Sequence, residues 1–240
     1  MNKKIRTAVI VAGGLGTRFP EETQDKPKGF IEIFGTPLIE RSTRQLLAHG
    51  ISRLFIGTGY LAEHYETFAQ RFPEITCIRS DRYTQTSSMY TLYNMRHEIK
   101  DDFLLLESDL LYADRALECL LEDARQDVIL GSSATSSGDE VYLETSDDRL
   151  VAVSKNPARL RSLDAELVGI SKVSIPLYEK MCLYYESVAA ELPKLDYELA
   201  MMGVAHEYPI WVKKEENLPW CEIDTPEHYE RATHEIWPRL

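Results

Sequence analysis

The chain has 240 residues, 44% hydrophobic and 28% charged, too apolar for disorder and long enough to bury a sizeable core, so one α/β domain is the expectation. Lys and Arg number 27 against 39 Asp and Glu, a formal charge of -12 that repels polyanions and excludes general nucleic-acid binding; an anionic ligand needs a local basic pocket. Cys77, Cys119, Cys182 and Cys221 stand too far apart for a zinc knuckle or a CxxC motif, and no run of about 18 apolar residues spans a membrane.

Thr7–Ala12 is an apolar, β-branched run ended by Gly13 and Gly14, the pattern of a doubly covered parallel strand feeding a loop. Pro37–His49 carries Leu38, Ile39, Leu46 and Leu47 at helical spacing, with Gly50 just beyond, and predicts the first helix. A strand at 53–57, a helix at 62–72 stopped by Pro73 and a short strand at 75–78 establish a βαβ rhythm. Residues 87–99 predict a helix, and 102–108 the most apolar strand, expected at the sheet centre. A helix at 114–124 and a strand at 127–133 follow. Two alternating runs, 141–145 and 150–153, then flank Ser146–Arg149 and read as a β-hairpin over about 140–154, an excursion from the parallel core. Beyond it come a strand at 168–174, helices at 176–191 and 197–203, a strand at 209–213 and an amphipathic helix at 226–237. With no repeat and no linker, the expected architecture is a single Rossmann-like three-layer α/β domain over 1–240, a mostly parallel central sheet with helices on both faces. The basic start at Met1 leads into an apolar stretch too short for a signal peptide, so a reducing cytoplasm is the expected compartment.

The loop Gly13-Gly14-Leu15-Gly16-Thr17-Arg18 follows the first strand, where a doubly wound sheet opens its ligand crevice. Glycines there let backbone N–H groups approach a phosphate. A dinucleotide fingerprint from Gly14 through Gly16 requires glycine where Phe19 stands, and no Gly-Lys pair lies at P-loop spacing, so both readings fail. Arg18, Lys26 and Lys28 instead crowd three cations beside the glycines, the local positive pocket that an acidic protein requires.

G-x-G-T-R followed by P-K resembles the signature of the nucleotidyltransferase superfamily, with its MobA-like NTP transferases, and the likeness runs from Thr7 to about Tyr229. The Glu-Ser-Asp segment ending at Asp109 and the run Trp220-Cys-Glu-Ile-Asp224 look most like cytidylyltransferases acting on phosphocholine or 2-aminoethylphosphonate. The resemblance implies that Arg18 meets the leaving phosphates and that Lys28 contacts the α-phosphate and the acceptor. It also implies that Ala12 and Gly13 offer backbone groups to the base. Gly14, Gly16, Thr17 and Lys26 belong to the nucleotide site, with Asp109 facing the nucleotide.

Asp109 ends the most apolar strand at the crevice, whereas Asp224 reads equally well as a helix cap before Thr225-Pro226. The resemblance implies that the two share Mg²⁺, an ion satisfied by few protein carboxylates plus phosphate oxygens. Thr86, Ser87 and Ser88 precede a helix, where hydroxyls cap it or bond base and ribose. For the acceptor, a quaternary ammonium calls for aromatic faces and a primary ammonium for carboxylates. The candidates are the aromatics Tyr142, Tyr197 and Trp220, the acids Asp139, Asp196, Glu198 and Glu222, and the auxiliary cation Lys155. The acids favour 2-aminoethylphosphonate over phosphocholine. A sugar-1-phosphate nucleotidyltransferase and a catalytically silent nucleotide-binding regulator are the alternatives. The six histidines read as surface or packing residues. Expected partners are small molecules, with no nucleic acid and no membrane span; a homodimer and a fusion to a second enzyme are left open.

Overall fold

The computed structural model describes residues 4–16, 18–19 and 24–240. In chain order the strands are β1 (Thr7–Ala12), β2 (Glu32–Ile33), β3 (Thr36–Pro37), β4 (Arg53–Thr58), β5 (Ile75–Arg79), β6 (Phe103–Glu107), β7 (Leu110–Tyr112), β8 (Val128–Ser132), β9 (Tyr142–Ser146), β10 (Arg149–Ser154), β11 (Ala165–Val173), β12 (Trp211–Glu215) and β13 (Trp220–Glu222). The helices are α1 (Leu38–Ala48), α2 (Ala62–Ala69), α3 (Ser88–Asn94), α4 (Arg115–Glu122), α5 (Ile175–Val188), α6 (Tyr197–Ala205) and α7 (Pro226–Arg231). Past α7 the chain widens into a π turn at Ala232–Ile236 and ends in a 3₁₀ turn, so the helix expected to run to 237 is broken.

Nine strands form one sheet in the order β5-β4-β1-β6-β11-β8-β12-β10-β9. The half from β5 to β6 is parallel, as the βαβ rhythm requires, and β12 is parallel to β8. Strand β11 enters antiparallel to both β6 and β8. The expected hairpin is present, turned through left-handed Asp147 and Asp148, but it is no excursion: β10 pairs with β12 and β9 with β11, so it extends the sheet edge.

Period-two alternation in β1 explains the three layers. Val9 and Val11 face a core that receives Met89 and Leu92 of α3, Met181 of α5 and Met201 of α6. Ala8 and Ile10 face the opposite core, with Ile39 and Leu46 of α1, Phe68 of α2 and Leu120 of α4. Each fully buried Leu or Ile contributes about 1.5–3 kcal/mol, which is why a run as apolar as β6 sits between two helical layers.

Two short antiparallel ribbons lie outside the sheet. β7 pairs with β13, setting Leu110 opposite Glu222 and Tyr112 opposite Trp220. β2 and β3 turn through Phe34 and Gly35, both at positive φ. Gly59, just past β4, is where the glycine loop rests on its neighbour: a Cβ there would stand 2.7 Å from the Gly13 carbonyl oxygen and 2.7 Å from Tyr83 Cβ. Backbone cannot yield as a flexible side chain can, so Gly59→Ala is expected to cost about 1–3 kcal/mol in urea denaturation. An unchanged midpoint would show that the loop has slack.

Candidate active site

A cleft of about 440 Å³ opens at the carboxyl ends of β1 and β6. Register puts it there: Val11 of β1 lies beside Gly57 of β4 and Glu107 of β6, so the glycine loop and the segment Ser108–Asp109 leave the sheet side by side. Ala12, Gly13 and Gly14 line the cleft, and Gly14 has open space where a Cβ would be. Gly16, at φ 65, turns the loop but does not line the cleft, and neither does Lys26. Thr17 falls outside the described residues.

Lys28 begins a 3₁₀ turn after Pro27. Gly29 brings that turn against β6, since a Cβ on it would meet Tyr65 Oη at 2.8 Å and the Ser108 carbonyl oxygen at 3.2 Å. The Lys28 ammonium donates to Asp109 Oδ2 at 3.0 Å and is ion-paired with Asp224 Oδ1. Arg18 pairs with the other Asp224 oxygen and with Asp139, which also accepts from Lys155 Nζ at 3.1 Å. Burial acts to raise the Asp139 carboxyl, but hydrogen bonds from Arg18 and Lys155 carry it below its ordinary value. Asp224, fully buried, lies behind the cleft wall with its charge met by the two cations. Its reading as a helix cap is corrected: the Thr225 hydroxyl caps α7 by accepting from His228 N at 3.3 Å.

The ribbon of β7 and β13 is what joins these acids. Ile223 N donates to the Asp109 carbonyl at 3.0 Å, fixing Asp109, Glu222 and Asp224 around one turn of backbone although more than a hundred residues separate them. Glu107, Asp109 and Glu222 offer oxygens within 4.8 Å of one another, and so do Asp139, Glu222 and Asp224. Burial and the Asp109 charge push Glu222 up to about 7, and burial with the Glu222 and Asp109 charges raises Glu107 well above the carboxylate range. Such hard oxygen donors, crowded beyond what Arg18 and Lys28 neutralise, fit a divalent cation. Asp109 and Asp224 both face the Lys28 ammonium, and Glu222 belongs to both acid groups.

Lys155, Asp196, Glu198, Trp220 and Glu222 line the cleft as expected. Two aromatic candidates do not. Val141, the residue before β9, lines the cleft, and strand alternation turns Tyr142 away from it. Tyr197 is buried behind the wall, where its hydroxyl donates to Glu107 Oε1 at 2.7 Å. Thr86, Ser87 and Ser88 all line the cleft, but neither serine hydroxyl caps α3. Both donate to Asp196 Oδ1, Ser88 at 3.2 Å; Ser88 Oγ also accepts from Tyr197 N at 3.0 Å, and the Thr86 hydroxyl donates to the Arg82 carbonyl at 2.7 Å.

Sequence reasoning missed Glu107, whose room comes from a bulge in β11 at Gly169, φ 81, where a Cβ would press within 3.0 Å of the Glu107 carboxyl carbon. It also missed Glu166, which accepts from Thr135 N at 2.6 Å and Thr135 Oγ1 at 2.8 Å, and it set aside His228, which is buried at the cleft edge. Among the described residues no helix is long and apolar enough to cross a membrane.

Among known proteins the chain is similar to the choline-phosphate cytidylyltransferase of Streptococcus pneumoniae, 24% identical over 93% of this chain and 95% of that protein. It is 29% identical to the 2-aminoethylphosphonate cytidylyltransferase of Lancefieldella rimae over 47% of this chain and 46% of that one. The fold matches the solved CTP:phosphocholine cytidylyltransferase of S. pneumoniae with a TM-score of 0.78 at 21% identity, over 95% of this chain and 98% of that chain. It matches the inositol-1-phosphate CTP transferase from T. maritima with a TM-score of 0.82 at 19% identity, over 96% of each chain. Residues 8–202, from β1 through most of α6, match the MobA-like NTP transferase domain, and with that span covering the glycine loop, Lys28 and Asp109, the chain belongs to the MobA-like NTP transferase family and is a nucleotidyltransferase.

Proposed function

We propose that the protein is an Mg²⁺-dependent CTP:2-aminoethylphosphonate cytidylyltransferase, which joins CMP to a phosphonate oxygen and releases pyrophosphate. The observation that carries the acceptor is the acidic lining of the cleft: Glu198 lines it together with Glu107 and Glu222, more carboxylates than the two assigned to the ion, while Val141 stands where an aromatic face was expected. Clustered acids reward an ammonium that donates hydrogen bonds; a trimethylammonium lacks those donors and gains most from aromatic faces. Trp220 is the feature that favours the second reading, phosphocholine as acceptor.

The chemistry asks little of acid–base catalysis. A phosphonate oxygen is already anionic near neutral pH and attacks the α-phosphorus without surrendering a proton, as the bond to the β-phosphate oxygen breaks and pyrophosphate leaves with the electron pair. The obstacle is repulsion between anions. Lys28, placed between Asp109 and Asp224, can turn its ammonium to the α-phosphate and the incoming oxygen, and Arg18 can meet the departing phosphates. Asp109 and Asp224 would hold Mg²⁺. When bound, the ion supplies neutralisation of the triphosphate charge. On this reading the base meets the backbone of Ala12 and Gly13, and the hydroxyl-bearing Thr86, Ser87 and Ser88, which line the same cleft, meet the nucleoside.

Pyrophosphate release with CTP, Mg²⁺ and each acceptor in turn tests this reading; turnover with phosphocholine and none with aminoethylphosphonate transfers the assignment. Glu198 adds a pH signature. Burial and the Asp196 charge push its carboxyl up to about 8, with Tyr197, Glu107, Lys155 and Glu222 the other titratable groups facing it. Below that pH the empty site holds a proton that a bound ammonium must expel. KM for aminoethylphosphonate is therefore expected to fall several-fold as pH rises from about 6.5 to about 8.5, and Glu198→Gln to raise KM and flatten the profile. A profile that Glu198→Gln leaves unaltered removes Glu198 from ammonium recognition.

A further inference from the structure

His228, buried in the first turn of α7, has a ring whose two nitrogens are both engaged. Asp224 N donates to Nδ1 at 3.3 Å, and Nε2 lies 3.3 Å from the Ser137 carbonyl oxygen. A backbone N–H can only donate and a carbonyl can only accept, so these contacts define the neutral Nε2–H tautomer with its whole hydrogen-bonding capacity in use. One arm holds the backbone of Asp224. The other holds the loop that carries Asp139 two residues further on.

Those two acids are the ones that grip Arg18. The contacts therefore close a ring: Arg18 to Asp139, along the chain to Ser137, across to His228, on to Asp224 and back to Arg18. The loop has no regular structure between β8 and β9; besides His228, it is anchored by Glu166 at Thr135, by Lys155 at Asp139 and by Leu167 N at the Val141 carbonyl. The Arg18 side chain is 47% exposed, so without fixed partners it would explore many rotamers. We propose that His228 is a positioning residue for Arg18: it fixes the spacing of Asp139 and Asp224 and so aims the guanidinium into the cleft. The catalytic consequence rests on the nucleotidyl-transfer reading above.

The test separates the two arms. Asparagine keeps an acceptor near the place of Nδ1 and glutamine a donor near the place of Nε2, so His228→Asn preserves the Asp224 contact and His228→Gln the Ser137 contact. His228→Ala is expected to lower kcat about tenfold, the scale of a small misplacement at a reacting group, with Asn and Gln each recovering part of the loss. In an Arg18→Ala background the same His228→Ala change is expected to cost only a minor part of its loss in kcat, because the residue it aims is gone and just the hold on the Asp224 backbone is left to lose. Amide hydrogen exchange at Asp224 should quicken in the Ala and Gln variants and stay near wild type in Asn, and ¹⁵N spectra of the wild-type ring should show the Nε2–H tautomer. A kcat for His228→Ala within about twofold of wild type, the full loss persisting beside Arg18→Ala, or a ring protonated on Nδ1 overturns the proposal. If alanine prevents folding, the Asn and Gln variants carry the comparison. If the wild type does not turn over CTP, the functional reading fails separately, and exchange at Asp224 with the ring tautomer still decides whether the ring exists.

Discussion

Lys28→Ala is expected to lower kcat for CTP turnover by about 10²–10³, the effect of removing one preorganised donor from a transition state, while shifting CTP affinity by less than about tenfold. The asymmetry follows from placement. The Lys28 ammonium lies between Asp109 and Asp224 rather than at the glycine backbone, so its charge counts most once negative charge builds on the oxygens around the α-phosphorus. Stability should move as well. Lys28 is largely buried, and its loss leaves Asp109 and Asp224 facing each other with Arg18 as the cation still paired to Asp224. Breaking a buried pair by deleting one partner costs about 3–5 kcal/mol, and repulsion between the stranded acids adds to it. If those acids hold Mg²⁺, the ion should raise the melting temperature of Lys28→Ala more than that of the wild type, since it meets two carboxylates that no longer share an ammonium. Steady-state pyrophosphate release, calorimetric titration of CTP and melts with and without Mg²⁺ check the three parts. A kcat within tenfold of wild type would remove Lys28 from the transition state.

The parallel half of the sheet was legible because its signal is local: β-branched runs ended by glycine, helical periodicity between them, and a Gly-rich loop at the crevice. The ribbon of β7 and β13 was not, because three-residue strands are too short to show alternation, yet it is what brings Glu222 and Asp224 to Asp109. For the same reason Asp224 reads as a cap in the sequence, whereas in the fold the Thr225 hydroxyl caps the helix. Tyr142 and Tyr197 were candidate ligands by residue type, but whether an aromatic ring faces a cleft depends on strand phase and helix packing, and both point elsewhere. Ser87 and Ser88 are candidates both to cap their helix and to meet the nucleotide; they line the cleft without capping, and their hydroxyls tie the start of α3 to α6 through Asp196, a partner 109 positions away from Ser87. Glu107 could have been suspected from its place at the end of β6 two residues before Asp109. The bulge at Gly169 that admits its carboxyl has no sequence signature beyond a glycine in a strand.

Asp224→Asn is expected to abolish turnover to within about a thousandth of wild type and to destabilise the fold more than any exposed charge change. Asp224 is fully buried, and its two oxygens face two different cations, Lys28 and Arg18. An amide of the same size keeps the volume but removes the charge, and turns an N–H₂ group toward a guanidinium or an ammonium. Each cation then loses its buried counter-charge, and the acids that remain near them are Asp109 for Lys28 and Asp139 for Arg18. The expected loss is therefore about 3–5 kcal/mol in chemical denaturation, whereas neutralising a surface acid such as Glu118 in its solvent-screened pair with Arg115 should leave the midpoint near wild type. The kinetic loss has a separate origin. Without the Asp224 charge the site keeps Asp109 but loses the second proposed Mg²⁺ ligand, so raising Mg²⁺ should restore part of the activity if Asp224 binds the ion, and none if it acts solely through Arg18 and Lys28. Measuring kcat across a Mg²⁺ titration, with Asp139→Asn alongside as a variant that loosens Arg18 while leaving both proposed ligands in place, separates those roles. Equal Mg²⁺ dependence in the two variants would take Asp224 out of the metal site.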